Sequence, residues 1–256
     1  MPLARYDATE SHRAVSHDSR ASPLMEWDQL NEAIIRCRRC PRLVAYCAEV
    51  ARRKRAAYRN QPYWGKPVPN FGDPKATVLI VGLAPGAHGA NRTGRMFTGD
   101  RSGQWLFAAL NRHGFANRPD ATHRDDGLKL TNCAITAACH CAPPANKPTA
   151  AELAACAEWF RCTFDLVPAR IFIALGRVAW DACVREARRR GWLGGSVKFA
   201  HGAEVQMRGH RVLLGSYHPS QQNTFTGRLT VQMFDAVFRR AAELASRRPQ
   251  PGPKQA

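Results

Sequence analysis

The chain has 256 residues, enough for one domain or two around a sizeable core, and 45% of them are hydrophobic, as in an ordinary globular protein. No stretch approaches the roughly 20 apolar residues of a membrane span, and the opening MPLARYDATESHRAVSHDSRAS has no apolar h-region of a secretory signal. Thirty-eight Lys and Arg against 20 Asp and Glu leave a formal charge of +18, an excess that points to a polyanion, most simply nucleic acid.

Residues 1–25 balance their charges and show no apolar periodicity, so they are expected to form a disordered extension. Residues 26–37 (EWDQLNEAIIRC) and 41–57 (PRLVAYCAEVARRKRAA) have helical spacing and are parted by the turn at RRCP. YRNQPYWGKPVPNFGDPKA is a loop by its Pro, Gly and Asn content. Four short apolar runs follow at 77–81, 130–137, 170–175 and 211–216, and helical patterns alternate with them at 102–114, 150–164, 176–190 and 227–246. This alternation predicts a three-layer α/β/α sandwich on a central, mainly parallel four-stranded sheet. VKFAHGAEVQMRGHRVLLG suggests a hairpin before the last strand. One domain spans 26–246, followed by a flexible basic tail at 247–256.

The ligand cleft of such a sheet lies at the carboxyl ends of the strands. The segments there are unusual: GLAPGAHGANRTGRMFTGD at 82–100, ACHCAPPANKPT at 138–149 and YHPSQQNTFTGR at 217–228. The first is glycine-rich, yet neither dinucleotide nor P-loop spacing can be laid on it.

Nine cysteines without an export signal argue for reduced thiols in a cytosol, and an odd count cannot pair completely. Cys37 and Cys40 form C-x-x-C among arginines, and Cys141 and Cys156 lie farther on. A C-x-x-C holds two thiolates close enough to share a metal or cluster, but a zinc ribbon would need a second one. The spacing alone leaves cluster ligands and unrelated core cysteines both open. Cys47, Cys133, Cys162 and Cys183 fall on apolar faces, and Cys139 is ambiguous.

Taken together, C-R-R-C-P-R-L, C-A-P-P-A-N-K-P-T and the two long loops resemble the uracil-DNA glycosylase superfamily, in particular its family-five iron–sulfur branch. The likeness runs from about residue 30 to 245. It implies a monofunctional glycosylase that flips uracil and other deaminated or damaged bases (hypoxanthine, etheno-adducts, thymine in mispairs) out of DNA and hydrolyses the N-glycosidic bond. It also implies a structural [4Fe–4S] cluster on Cys37, Cys40, Cys141 and Cys156. Gly82, Leu83, Ala84 and Phe97 would receive the flipped base, with Asn146 adding a contact.

By the same resemblance Asp100 would orient water and balance the cationic sugar, although its position equally suits an N-cap. His218 would hydrogen-bond the base carbonyl as charge develops there. Ser220, Asn223 and Arg228 would grip the DNA backbone and Phe225 would wedge the gap. Leu83 and Ala137 stand where branches strict for uracil carry polar residues, so a more tolerant pocket is expected. DNA is the expected partner, the cytosol of a bacterium the expected place, and a monomer the expected state. The competing reading is an inactive iron–sulfur module that binds damaged DNA.

Overall fold

The apolar runs become strands because each alternates between two helix layers. In the computed structural model, which describes residues 26–247, the first helices are α1 (Trp27–Arg36) and α2 (Pro41–Arg53), then come the edge strand β1 (Phe71–Gly72) and β2 (Val78–Gly82). There follow α3 (Ala90–Thr93), α4 (Arg101–Arg112), β3 (Cys133–Ala137), α5 (Ala150–Leu166), β4 (Ile171–Leu175) and α6 (Arg177–Arg189). The chain ends with the hairpin β5 (Glu204–Met207) and β6 (Arg211–Ser216), then α7 (Gln221–Phe225) and α8 (Val231–Ser246). The extension expected at 1–25 and the tail beyond 247 lie outside the described residues.

The sheet has six strands in the order β1-β3-β2-β4-β6-β5. The four expected strands form its parallel centre, and the two additions, β1 and β5, pair antiparallel at the edges. β5 is the hairpin partner suggested by the sequence. β1 is only two residues long, too short for any periodicity to announce it.

Val78, Ile80, Ile171 and Ile173 face one layer, where Leu106, Phe107 and Leu110 of α4 meet Phe234, Val237 and Phe238 of α8. Leu79, Val81, Phe172 and Ala174 face the other, against Phe160 and Phe164 of α5 and Trp180 and Cys183 of α6. Period-two alternation on a sheet buried on both faces produces this division. A third cluster joins α1, α2 and α5 through Leu30, Ile34, Leu43 and Trp159. Among the described residues, no helix is long and apolar enough to cross a membrane.

From β2 the chain crosses to β3 on one side, and from β3 it returns to β4 on the other. The loops leaving β2 and β4 therefore diverge, which opens a crevice at the carboxyl ends of the strands.

Candidate active site

The loop at 82–100 is held from beneath by two buried arginines. Arg92 donates to the carbonyls of His88 and Gly99, each at 2.7 Å, and to Gln61 Oε1. Arg95 forms a bidentate pair with Asp126 at 2.8 and 2.7 Å and also donates to Thr98 Oγ1. Asp126 accepts further bonds from the N–H groups of Thr122 and Leu128, so its carboxyl is driven well below the ordinary range against the cost of burial.

This frame fixes Phe97 in the left-handed region (φ 53°), a strained conformation for a residue with a Cβ. A Cβ at Gly82 would stand 3.0 Å from two carbons of the Phe97 ring, so position 82 must be bare for the ring to lie across the strand end.

Asp100 follows three residues later. Its Oδ1 accepts from Gly103 N at 3.0 Å and caps α4, as its position suggests. Its Oδ2 looks the other way, toward Gly86 and Gly89. A Cβ at Gly86 would come within 3.0 Å of that oxygen, and one at Gly89 would overlap it. Those glycines are therefore present to give a carboxylate room. Burial raises the Asp100 carboxyl above its ordinary value, opposed by hydrogen bonds from the Gly103 and Ser102 N–H groups and by the Arg92 charge.

His218 leaves β6 between two anchors. Ahead of it, Tyr217 N donates to His201 Nδ1 at 3.2 Å, so His201 carries its proton on Nε2 and donates to Met233 O at 3.1 Å. Behind it, Asn223 Nδ2 donates to the His218 carbonyl at 2.8 Å. Gly176, at φ 94°, brings the exit of β4 close beneath the imidazole. The ring lies 6.0 Å from that of Phe97 at 29° between planes. Enclosure lowers its pKa to about 4, so it is neutral near pH 7.

These groups meet in one cavity of about 510 Å3. Gly82, Leu83, Ala84, Phe97, Asn146, Asp100, His218 and Ser220 all line it, as does Ala137. Ala145 and Asn146 are both left-handed, at φ 53° and 56°, which turns the Asn146 amide into the site. Asn223, Phe225 and Arg228 do not line the cavity. Asn223 spends its amide N–H on the His218 backbone and is a support there. Phe225 projects beside the mouth, 67% exposed, with the Arg101 guanidinium 4.2 Å from its ring centroid. Arg228 lies over Tyr217.

The sequence reading missed Arg101, which lines the cavity and also reaches Thr224. A cation directly after FTGD was the available signal. Gly82, Gly86 and Gly89 make space for Phe97 and Asp100.

A second constellation lies between α2, α5 and the segment after β3. Cys37, Cys40, Cys139, Cys141 and Cys156 line one small apolar cavity, and all nine cysteines are free. Cys156 donates to Cys139 and Cys141 donates to Cys47, and burial together with these thiols raises Cys156 and Cys141. Arg39, inside the C-x-x-C, sits 4.7 Å from the Trp159 ring centroid and pairs with Glu158. Arg42 clamps Glu152 at 2.7 Å through Nε and Nη2, which ties α2 to the first turn of α5 and lowers Glu152 to about 2.

Among the described residues no three His, Cys, Asp or Glu side chains converge on a single ion. A mononuclear zinc site requires such convergence at about 2.3 Å from one metal. A cluster spreads its thiolates over several irons, and five thiols around one small apolar cavity suit that donor arrangement.

Comparison with known proteins places this geometry in context. Residues 69–242 match the family model described as the uracil DNA glycosylase superfamily. The chain is 50% identical over 219 residues to the type-5 uracil-DNA glycosylase of Mycobacterium tuberculosis, covering 85% of this chain and 81% of the relative. It is 49% identical over 222 residues to the type-5 enzyme of Thermus thermophilus, covering 86% and 99%. A type-4 uracil-DNA glycosylase of Pyrobaculum aerophilum is 32% identical over 175 residues, covering 68% and 72%.

Proposed function

The chain belongs to the uracil DNA glycosylase superfamily, and from that premise we propose that it is a uracil-DNA glycosylase of the type-5 kind, a hydrolase that opens base excision repair by releasing uracil from DNA. The observation that carries the reading is the pairing in one cavity of a buried carboxylate, Asp100, with a neutral imidazole, His218, beside the exposed face of Phe97. A base must leave the duplex to reach such a cavity.

Cleavage of the N-glycosidic bond builds positive charge on the sugar and negative charge on the departing base. The flipped base stacks on Phe97 over the bare strand end at Gly82. His218, with no protein partner on its ring among the described residues, donates its N–H to the base carbonyl, where a preorganised donor is worth about 3–4 kcal/mol. The Asp100 carboxylate faces the sugar, balances its charge and orients the attacking water. No lysine lines the cavity, which supports attack by water with no covalent enzyme–sugar intermediate. Ser220, Arg101 and Arg228 meet the DNA backbone, and Phe225 fills the gap left by the base. The basic surface gives the DNA affinity its salt dependence.

Leu83 and Ala137 contribute no polar side-chain group to the wall, which leaves the Asn146 amide as a movable contact. A pocket with few fixed hydrogen bonds discriminates weakly, so the substrate range extends to hypoxanthine, etheno-adducts and thymine in mispairs. Cys37, Cys40, Cys141 and Cys156 would hold a [4Fe–4S] cluster that ties α2 to α5, with Cys139 lining the same cavity. The enzyme acts as a monomer in the bacterial cytosol.

The test is base release from duplexes that each carry one of these lesions. Release of free uracil with an intact abasic strand is expected, followed more slowly by the larger bases. Tight binding to lesion DNA without release of any base would reduce the protein to a recognition module.

A further inference from the structure

Asp100 borders two spaces. Besides the base cavity it lines a wider groove of about 750 Å3 walled by Tyr58, Trp64, Arg92, Gln104 and Thr122, and it is the one residue that lines both. The groove looks at first like a nucleic-acid surface, because it is aromatic and basic. Three of its rings, however, already have partners. Gly94 packs against Trp64, and a Cβ there would come within 3.0 Å of three ring atoms, while Arg124 sits 4.8 Å from the Trp64 centroid. Arg92 covers Tyr58 at 4.0 Å, and Tyr63 Oη is bonded to His88 Nδ1 at 3.0 Å. What remains open is polar and at the mouth: Gln61, Gln104 and Thr122 are exposed. Such a groove offers water many polar partners.

A flipped nucleotide that fills the base cavity narrows that route for the exchange of water, and the nucleophile meets C1′ on the face away from the departing base. We propose that the groove is the water inlet of the enzyme, delivering the hydrolytic water to Asp100 while the base cavity is full. The inference rests on the assignment of Asp100 as the water-orienting residue. In the step it serves, the water oxygen bonds to C1′ as the C1′–N bond breaks. The bonding pair leaves with the base as its anion, and the surplus water proton passes to the Asp100 carboxylate.

The test fills the groove at two exposed positions outside the base cavity, with Gln104→Trp, Thr122→Trp and their combination. Gln104→Ala and Thr122→Val serve as small controls. Single-turnover cleavage of a uracil duplex is read beside the Kd for a duplex carrying 2′-fluoro-2′-deoxyuridine, which resists hydrolysis. The double variant should lose about tenfold or more in rate with its Kd within about twofold of wild type, a loss on the transition state rather than on binding, while the small controls keep both. Should the double variant not fold, Gln104→Trp alone carries the same expectation in smaller measure. An unchanged rate overturns the proposal. So does a loss confined to Kd, which would make the groove a bed for a DNA strand. The Asp100→Asn variant, assayed in parallel, tells failure of the inlet from failure of its premise: a wild-type rate there removes the premise whatever the groove variants do.

Discussion

Asp100→Asn separates the two duties of one side chain. The cap uses Oδ1, which accepts from Gly103 N, and an Asn carbonyl accepts equally well, since Asn and Asp rank together as N-caps. The duty toward the sugar uses Oδ2 and the negative charge, and the amide removes both. The two losses fall on different scales. Deleting the cap, as in Asp100→Ala, costs about 1 kcal/mol, or about 2–4 °C in melting temperature for a domain of this size. Asp100→Asn keeps the cap and relieves a buried charge, so it should melt within about 2 °C of wild type. Loss of a positioned base, by contrast, lowers turnover by about 10²–10⁴-fold. Single-turnover cleavage of a uracil duplex, with the abasic strand cut by alkali, measures the second effect, and thermal melting measures the first. Burial raises the Asp100 carboxyl, so the acid limb of the wild-type rate profile should lie above the ordinary aspartate range and vanish from the residual activity of the variant. An Asp100→Asn variant that cleaves at the wild-type rate would leave Asp100 as a cap only and refute the mechanism.

His218 adds a stability signature. Its folded pKa of about 4 lies below the ordinary 6.5, so the unfolded chain binds more protons between those values, and stability, full above pH 6.5, is lost as pH falls toward 4. The loss attributable to this residue approaches about 3 kcal/mol, and His218→Phe should flatten that part of the pH–melting curve while lowering kcat. Asp126→Ala leaves Arg95 buried without its partner, at a cost of about 3–5 kcal/mol. The melting temperature should drop, and the rate should fall too, because Phe97 loses its frame; an unaltered melting curve would contradict the buried pair. Protein purified without oxygen should be brown, Cys141→Ser should bleach it and Cys139→Ser should leave the colour. The reverse result would exchange the two residues in the ligand set.

The parallel centre of the sheet was legible because a strand buried on both faces reads as an unbroken apolar run, and TVLIV and RIFIAL are such runs. The edge strand Phe71–Gly72 left no trace, since its pairing depends on β3 lying alongside rather than on any pattern of its own. At the site, residue types with intrinsic chemistry stood out: an isolated Asp in a glycine loop, and a His before Pro. Supporting residues did not. His201 and Asn223 fix His218 through backbone hydrogen bonds that cross 16 and 5 residues of sequence, and many side chains can make such bonds. Arg101 stands among so many other arginines that only its place directly after FTGD marks it.

The contact between Gly89 and the Asp100 carboxylate constrains how this loop can change over time. With a carboxylate at 100, no side chain fits at 89, because its first carbon would overlap Oδ2. With Gly at 100, that conflict disappears. Substitutions at the two positions are therefore ordered: the larger residue at 89 is admissible only after the carboxylate has gone. Activity and a filled loop exclude each other, and a lineage that takes the step at 89 has closed the way back for Asp at 100. Libraries that vary position 89 alone will find it immutable, whereas joint libraries will find paired exchanges that preserve the fold and abandon the chemistry.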